Sequence, residues 1–268
     1  MSALLFEKRG HIAWVTINRP EFKNTMNAEV FVRLDEAWKS VREDDQIRVA
    51  VLTATGEEDF CCGGDLGSVI PIWTGAREPA NEIEEKLRTD PMIVSRCMLQ
   101  QEPIYKPIIG AFNGRALGGG CEILQATDIR IAAEHAVFGL PEPKSGVVPG
   151  AGSMVRLARQ ISYANAMKIL LSASPISARE AKDIGLISEV LPMNELMARA
   201  EELAETIAAN APLAMRAIKK TVLDSHTLDW AEAFTLEQQE SATVMMSQDA
   251  REGPRAFKEK RPPKFTGH

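Results

Sequence analysis

The stretch I-I-G-A-F-N-G-R-A-L-G-G-G-C-E at residues 108–122, continued by V-F-G-L-P-E-P at residues 137–143, decides how the rest of the chain is read. Residues 108–112 form a short apolar run after Lys106-Pro107. They have the length and composition of a buried strand, and Asn113-Gly114 supplies a turn behind them. Gly118, Gly119 and Gly120 then open a segment, 121–127, that reads as helical. Residues without a Cβ let another group approach the backbone, and the first amides of a helix have no internal acceptor. Such amides hold oxyanions or phosphates. Glu122 follows Gly119 by three positions, so on a helix both address one face. Glycines in this setting also serve plain strand-to-helix packing, and a glutamate in a first turn also serves as a dipole partner. A second backbone donor and a second carboxylate are what would separate the two readings.

The chain offers both. Upstream, the apolar run 49–53 leads through Gly56 into F-C-C-G-G-D-L at 60–66, a glycine pair after a strand. Downstream, Glu142 sits between Pro141 and Pro143, whose fixed φ limits where its side chain points.

With 268 residues, 45% of them hydrophobic, the chain is long enough for one large domain with a full core, or for one domain with a helical appendage. A formal net charge of −6 argues against a general nucleic-acid surface. The four cysteines, Cys61, Cys62, Cys97 and Cys121, form no C-x-x-C pair and no zinc-like spacing with histidine. They read as small apolar residues of a reduced, metal-free protein. No run approaches twenty apolar residues, and the start lacks a secretory pattern, so a cytoplasmic chain without membrane contact is expected.

In order along the chain, residues 4–9 and 12–18 flank Gly10-His11 as a hairpin. Asn27 is placed to cap a helix over 28–42, with Val30, Phe31, Leu34, Ala37, Trp38 and Val41 on one face. Residues 67–90, with Pro71, Gly75 and Pro79, read as an irregular segment that forms either a mobile wall over a pocket or a self-packed surface excursion. Residues 91–101 read as an amphipathic helix, 128–132 and 136–138 as short strands, and most of the chain beyond Ser162 as helix. The final residues, 255–268, read as a basic, proline-containing tail.

With both glutamates and both glycine turns in place, the sequence resembles the crotonase superfamily, the enoyl-CoA hydratase/isomerase family, over essentially its whole length. The matching segments are N-R-P at 18–20, F-C-C-G-G-D-L at 60–66, N-G-R-A-L-G-G-G-C-E at 113–122, and F-G-L-P-E-P at 138–143 followed by P-G-A-G. The resemblance implies an α/β fold, a spiral of ββα repeats with a C-terminal helical trimerisation region. It divides the chain into a core at 1–190 and an oligomerisation region at 191–268, in a homotrimer or homohexamer. It also implies an acyl-CoA thioester substrate, with coenzyme A as part of that substrate and no separate cofactor, and a place in fatty acid metabolism.

On the same basis the thioester oxygen is expected between the backbone N–H groups of Gly64 and Gly119. Glu122 and Glu142 are expected to hold one water and move its proton and hydroxyl onto the double bond. Lys23, Asn24, Cys62, Asp65 and Leu66 are the corresponding substrate-binding positions, and Phe257 and Lys260 are expected to reach a neighbouring subunit's nucleotide. The chain departs from the family in its long 67–90 segment and in Ser153, where a further glycine is common, which leaves the acyl group open. An enoyl-CoA isomerase, a dehydratase of a polar or aromatic hydroxyacyl-CoA, and a non-catalytic RNA-binding relative are the alternatives. The 28–42 helix mixes acidic and basic residues, so it lacks the continuous basic face the last would need.

Overall fold

Phe60, Phe112 and Phe138 come from three separate strands and stack edge-on in one line, with centroids 4.6 and 6.1 Å apart. That line runs through the centre of the molecule in the computed structural model, which describes residues 2–268. The strands in chain order are β1 (Leu4–Arg9), β2 (Ile12–Ile17), β3 (Val49–Ala54), β4 (Asp59–Cys61), β5 (Ile108–Phe112), β6 (Arg115–Leu117), β7 (Ile129–Ala133), β8 (Val137–Gly139), β9 (Ile176–Ser177) and β10 (Glu189–Leu191). They form two sheets, one of six strands in the order β1-β2-β3-β5-β7-β10 and one of four in the order β4-β6-β8-β9.

The repeat is visible in that order. Each long strand (β3, β5, β7) is followed after a short turn by a three-residue strand (β4, β6, β8) that crosses to the second sheet. Equivalent strands of successive repeats pair in parallel: β3 with β5, β5 with β7, β4 with β6, and β6 with β8. This is the expected spiral of ββα units. The short strands β4 and β6 were not legible in the sequence, where they merge with the glycine turns beside them.

The helices in chain order are α1 (Ala28–Glu43), α2 (Leu66–Trp73), α3 (Glu82–Thr89), α4 (Ile93–Cys97), α5 (Gly119–Leu124), α6 (Ser153–Gln160), α7 (Tyr163–Ser172), α8 (Ala178–Asp183), α9 (Met193–Ala208), α10 (Pro212–Asp224), α11 (Trp230–Met245) and α12 (Asp249–Glu259). Asn27 caps α1 as expected, its side-chain oxygen accepting from Val30 N at 3.0 Å. Residues 67–90 are not irregular. They hold α2 and α3, with Val69, Ile72 and Leu87 fully buried beneath them. Pro71 removes one backbone donor from α2, and the buried apolar pair compensates. Arg77 ties the connector down, bonding both carboxylate oxygens of Glu84 at 2.8 and 3.0 Å.

The expected helix over 91–101 is shorter, confined to α4, because Leu99 turns into the left-handed region at φ 53°. Nor are residues 255–268 a plain tail. Their first part continues α12, which buries Ala256 and accommodates Pro254.

Two apolar layers share the six-stranded sheet. One face packs on α1, α4, α5 and the second sheet. The other packs on α9, whose small residues Ala200, Ala204 and Ala208 lie with Leu196 against Val49, Val51, Ile109 and Ile131. The division expected after residue 190 would fall inside β10, one residue before its end at Leu191. Helix α9 covers the sheet, and α10–α12 follow it. Among the described residues no helix is long and apolar enough to cross a membrane.

Phe112 is fully buried at the centre of the aromatic line and belongs to the strand that leads to the glycine triplet. Phe112→Ala is expected to cost about 3–5 kcal/mol of unfolding free energy, measured by denaturant titration. A cost below about 1 kcal/mol would show that the line does not carry the packing between repeats.

Candidate active site

The site is assembled from four pieces of chain, and the first is the loop after β2. Arg19 points inward from N-R-P. Its guanidinium donates to Thr25 O at 2.5 Å and to the Asp65 carboxylate at 3.0 Å, and it stands 4.7 Å over the Phe22 ring. Lys23 and Asn24 both adopt left-handed backbone, at φ 55° and 51°. The Asn24 side chain fixes that turn from inside. It accepts from Arg19 N at 2.8 Å and donates to Thr55 O at 2.9 Å and Asp59 O at 2.7 Å. The loop then pairs with the turn after β4, through Cys62 N to Lys23 O (3.2 Å), Met26 N to Gly63 O (2.8 Å) and Asp65 N to Met26 O (2.9 Å). Since Gly63 O and Asp65 N face Met26, the intervening Gly64 N–H faces away from it.

The turn itself lies against the glycine triplet. The two turns are in direct contact: a Cβ on Gly63 would lie 3.4 Å from Gly119 N and 3.3 Å from Leu117 O. Gly63 also holds φ +90° and Gly118 φ +53°, so glycine is required at both for the backbone path as well as for the approach. Met26 and Met98 close the side of Gly119, their methyl carbons 2.6 and 3.4 Å from where its Cβ would stand. Gly119 is the first residue of α5. Neither its N–H nor that of Gly64 meets an acceptor among the described residues. Two amide donors from separate bends are therefore left unpaired beside one another.

The two carboxylates come from separate elements, α5 and the turn after β8. Glu122, 3% exposed, is on α5. One of its oxygens, Oε1, accepts from Ala151 N at 2.7 Å and Ser153 N at 3.3 Å, at the start of α6. Burial raises its pKa to about 7, and the Glu142 charge adds to that rise against the two amide bonds. Glu142 begins a single helical turn after β8. Its Oε1 would lie 3.0 Å from a Cβ on Gly118, and its Oε2 is buried with no hydrogen-bond partner. Burial pushes its pKa upward as well. Two carboxyls of raised pKa, each with an uncommitted oxygen, thus flank the paired glycine turns, an arrangement suited to proton transfer near neutral pH.

A family model described as enoyl-CoA hydratase/isomerase matches residues 7–268. The chain belongs to that family. It is 41% identical to the enoyl-CoA hydratase EchA19 of Mycobacterium tuberculosis, over 97% of this chain and 95% of the relative. It is 38% identical to the (E)-benzylidenesuccinyl-CoA hydratase of Thauera aromatica, over 97% of this chain and 98% of that one. Among solved structures, a putative enoyl-CoA hydratase/isomerase from Mycobacterium abscessus superposes with a TM-score of 0.88 at 41% identity, covering 99% of this chain and all of that one.

Within this family member the expected positions fall into four groups. Gly64, Gly119, Glu122 and Glu142 come together as described. Lys23, Cys62, Asp65 and Leu66 line the adjoining turn. Lys23 is exposed and Leu66 is 65% exposed, whereas Asp65 is engaged by Arg19. The Cys62 thiol donates to the Asp59 carboxylate at 3.2 Å, and burial holds its pKa at about 12. Asn24 is fully buried, and its amide is engaged by Arg19 N, Thr55 O and Asp59 O, so its side chain shapes the turn from inside. Phe257 and Lys260 lie at the end of α12, which packs on α11, and Phe257 is 87% exposed.

The sequence reading missed Ala151 and Ser153, whose amides hold Glu122, although P-G-A-G-S before an apolar helix was a legible helix start. It also missed Met26 and Met98. Nothing in their local sequence marks them, because long-range packing alone brings them to Gly119. Among the described residues no three His, Cys, Asp or Glu side chains gather as a metal site.

A carboxyl with a raised folded-state pKa binds its proton more tightly when folded. The stabilisation from that proton is complete below about pH 4.5 and is lost as pH rises through about 7. Glu122→Gln, which keeps the amide acceptor without the charge, should therefore be more stable than the natural chain at pH 8. The expected gain is on the order of 3 kcal/mol, vanishing below pH 4.5, by denaturant titration at both pH values. Equal stability at pH 8 would show that the Glu122 carboxylate is not desolvated.

Proposed function

We propose that this enzyme adds water across the 2,3 double bond of an enoyl-CoA thioester, reversibly, with Glu122 and Glu142 as its acid–base pair. The observation that carries this reading is the juxtaposition of two unpaired amide donors, at Gly64 and Gly119, with two buried carboxyls of raised pKa. A thioester carbonyl activates its C3 only if charge arriving on its oxygen is held, and two preset N–H groups do this without solvent reorganisation. Each such donor contributes about 3 kcal/mol to transition-state stabilisation in other oxyanion holes.

In the proposed step a water oxygen bonds to C3 while its proton passes to the ionised Glu122. The C2–C3 π electrons move toward the thioester, and C2 takes the proton of neutral Glu142. Water is consumed and the total protonation of the pair is unchanged. Exchange between the carboxyls then resets it. This order needs Glu122 ionised and Glu142 neutral; a coupled pair above the ordinary carboxyl range shares a proton near neutral pH, and the two amides on Glu122 Oε1 favour that carboxyl as the ionised partner. Leu66 and Ile70, exposed on the first turns of α2 directly after the Gly64 turn, offer apolar surface for an acyl chain.

The same proposal includes assembly into a homotrimer or homohexamer. Helices α10 and α11 leave Ile218, Val222, Trp230, Phe234 and Met245 exposed, an apolar face of the kind that subunit contact covers. Phe257 and Lys260 would meet a nucleotide only through such a neighbour. The four cysteines are all free thiols, which fits a cytoplasmic setting.

Glu122→Gln and Glu142→Gln are each expected to lower kcat for hydration of a 2-enoyl-CoA by at least about a hundredfold, with binding of a saturated acyl-CoA retained. Loss of the conjugated-thioester absorbance measures the first, and calorimetry the second. Near-normal turnover in both variants would defeat the assignment. Conversion of a 3-enoyl-CoA to the conjugated thioester without hydration would favour the isomerase reading instead.

A further inference from the structure

Among the described residues, Arg156, on α6, is the one strong charge acting on Glu122 that the hydration scheme does not use. It is half-buried, and its guanidinium makes no carboxylate pair among the described residues. Both of its hydrogen bonds go to backbone carbonyls, from Nη1 to Met98 O at 2.9 Å and from Nη2 to Leu99 O at 2.6 Å. Those carbonyls belong to the break after α4, where Leu99 is left-handed and Met98 closes the side of Gly119. At its other end the guanidinium lies under the start of α6. Nη1 would be 2.8 Å from a Cβ on Gly152, the residue between the two amides that hold Glu122 Oε1. One side chain therefore touches both the support of Glu122 and the wall of the Gly119 turn.

We propose that Arg156 is a positioning residue for the reaction, its positive charge acting on Glu122 and its fork holding Met98 against the Gly119 turn. This rests on the function proposed above. A buried guanidinium without a carboxylate partner is costly unless another negative charge compensates it. The charged groups facing Glu122 are Glu142, from beyond β8, and Arg156, from α6. Glu142 and burial raise the Glu122 pKa, and Arg156 opposes them together with the Ala151 and Ser153 amides. The planar fork matters separately, because two carbonyls of consecutive residues are held at once, which a single ammonium on a flexible stem does not reproduce.

The two tasks are separable by substitution. Arg156→Gln removes the charge, and Arg156→Lys keeps the charge while losing the fork. An infrared titration of the carboxylates, with Glu122 assigned by difference from Glu122→Gln, reads the charge directly without turnover. In Arg156→Gln the Glu122 midpoint should rise by about one pH unit or more, and the acid limb of kcat/KM for 2-enoyl-CoA hydration should move upward with it. In Arg156→Lys the midpoint should stay at its natural value. Backbone hydrogen exchange at Met98, Leu99 and Gln100 should instead quicken at least tenfold, and kcat should fall by about the same factor.

An unmoved Glu122 midpoint in a folded Arg156→Gln overturns the electrostatic role. Unchanged exchange and kcat in Arg156→Lys overturn the clamping role, and that arm stands by itself if Arg156→Gln does not fold. If the natural enzyme hydrates no 2-enoyl-CoA, the function proposed above fails. The infrared midpoints and the exchange rates still decide what Arg156 does.

Discussion

Everything in this site depends on the close approach of two backbone turns, Gly63-Gly64 against Gly118-Gly119. The approach is possible because no Cβ intervenes, and it is enforced from both sides. The Arg19 guanidinium and the buried Asn24 amide fix the loop that pairs with the first turn. The aromatic line through Phe60, Phe112 and Phe138 sets the spacing between the strands that carry the turns. The two free amides are thus a product of strand register. Each β-repeat delivers its long strand to one sheet and its short strand to the other. The bends around the ends of those short strands stack because the strands do.

The carboxylates are positioned by different means, and the difference has chemical meaning. Glu122 is anchored through one oxygen by the amides at the start of α6, so it is held ionisable but oriented. Glu142 lies on a proline-braced turn with an oxygen buried and unpartnered, a state that favours the protonated form. Under the proposed function, the amides on Glu122 and the unpartnered oxygen of Glu142 assign the first as base and the second as acid. Arg156 touches both the start of α6, whose amides hold Glu122, and the carbonyls of Met98 and Leu99 beside the Gly119 turn, so one side chain contacts both halves of the site.

Helices α2 and α3 show how a local reading fails in this fold. Pro71, Gly75 and Pro79 argue for an irregular segment, yet Val69, Ile72 and Leu87 find buried positions that outweigh the missing backbone bond. The same competition explains α12, where Pro254 sits inside a helix that its buried Ala256 helps to hold. In the other direction, the helix expected over residues 91–101 ends at Leu99. There a left-handed residue turns two carbonyls toward Arg156, and nothing in the neighbouring sequence announces it.

From the sequence alone came the two glycine turns, the two glutamates and the cap of α1, because each is written in a contiguous pattern: a periodic apolar face, a strand followed by glycines, a carboxylate between prolines; the class of the fold came through the family resemblance that those motifs carry. Asn24 was legible as a special residue but not as a buried one, since burial depends on what closes over it. The three-residue strands β4 and β6, the amides of Ala151 and Ser153 on Glu122, the methionines beside Gly119 and the reach of Arg156 were decided only by the tertiary structure. Each of these is a contact between segments tens of residues apart. Its existence depends on the register in which the parallel strands stack, which no local pattern encodes.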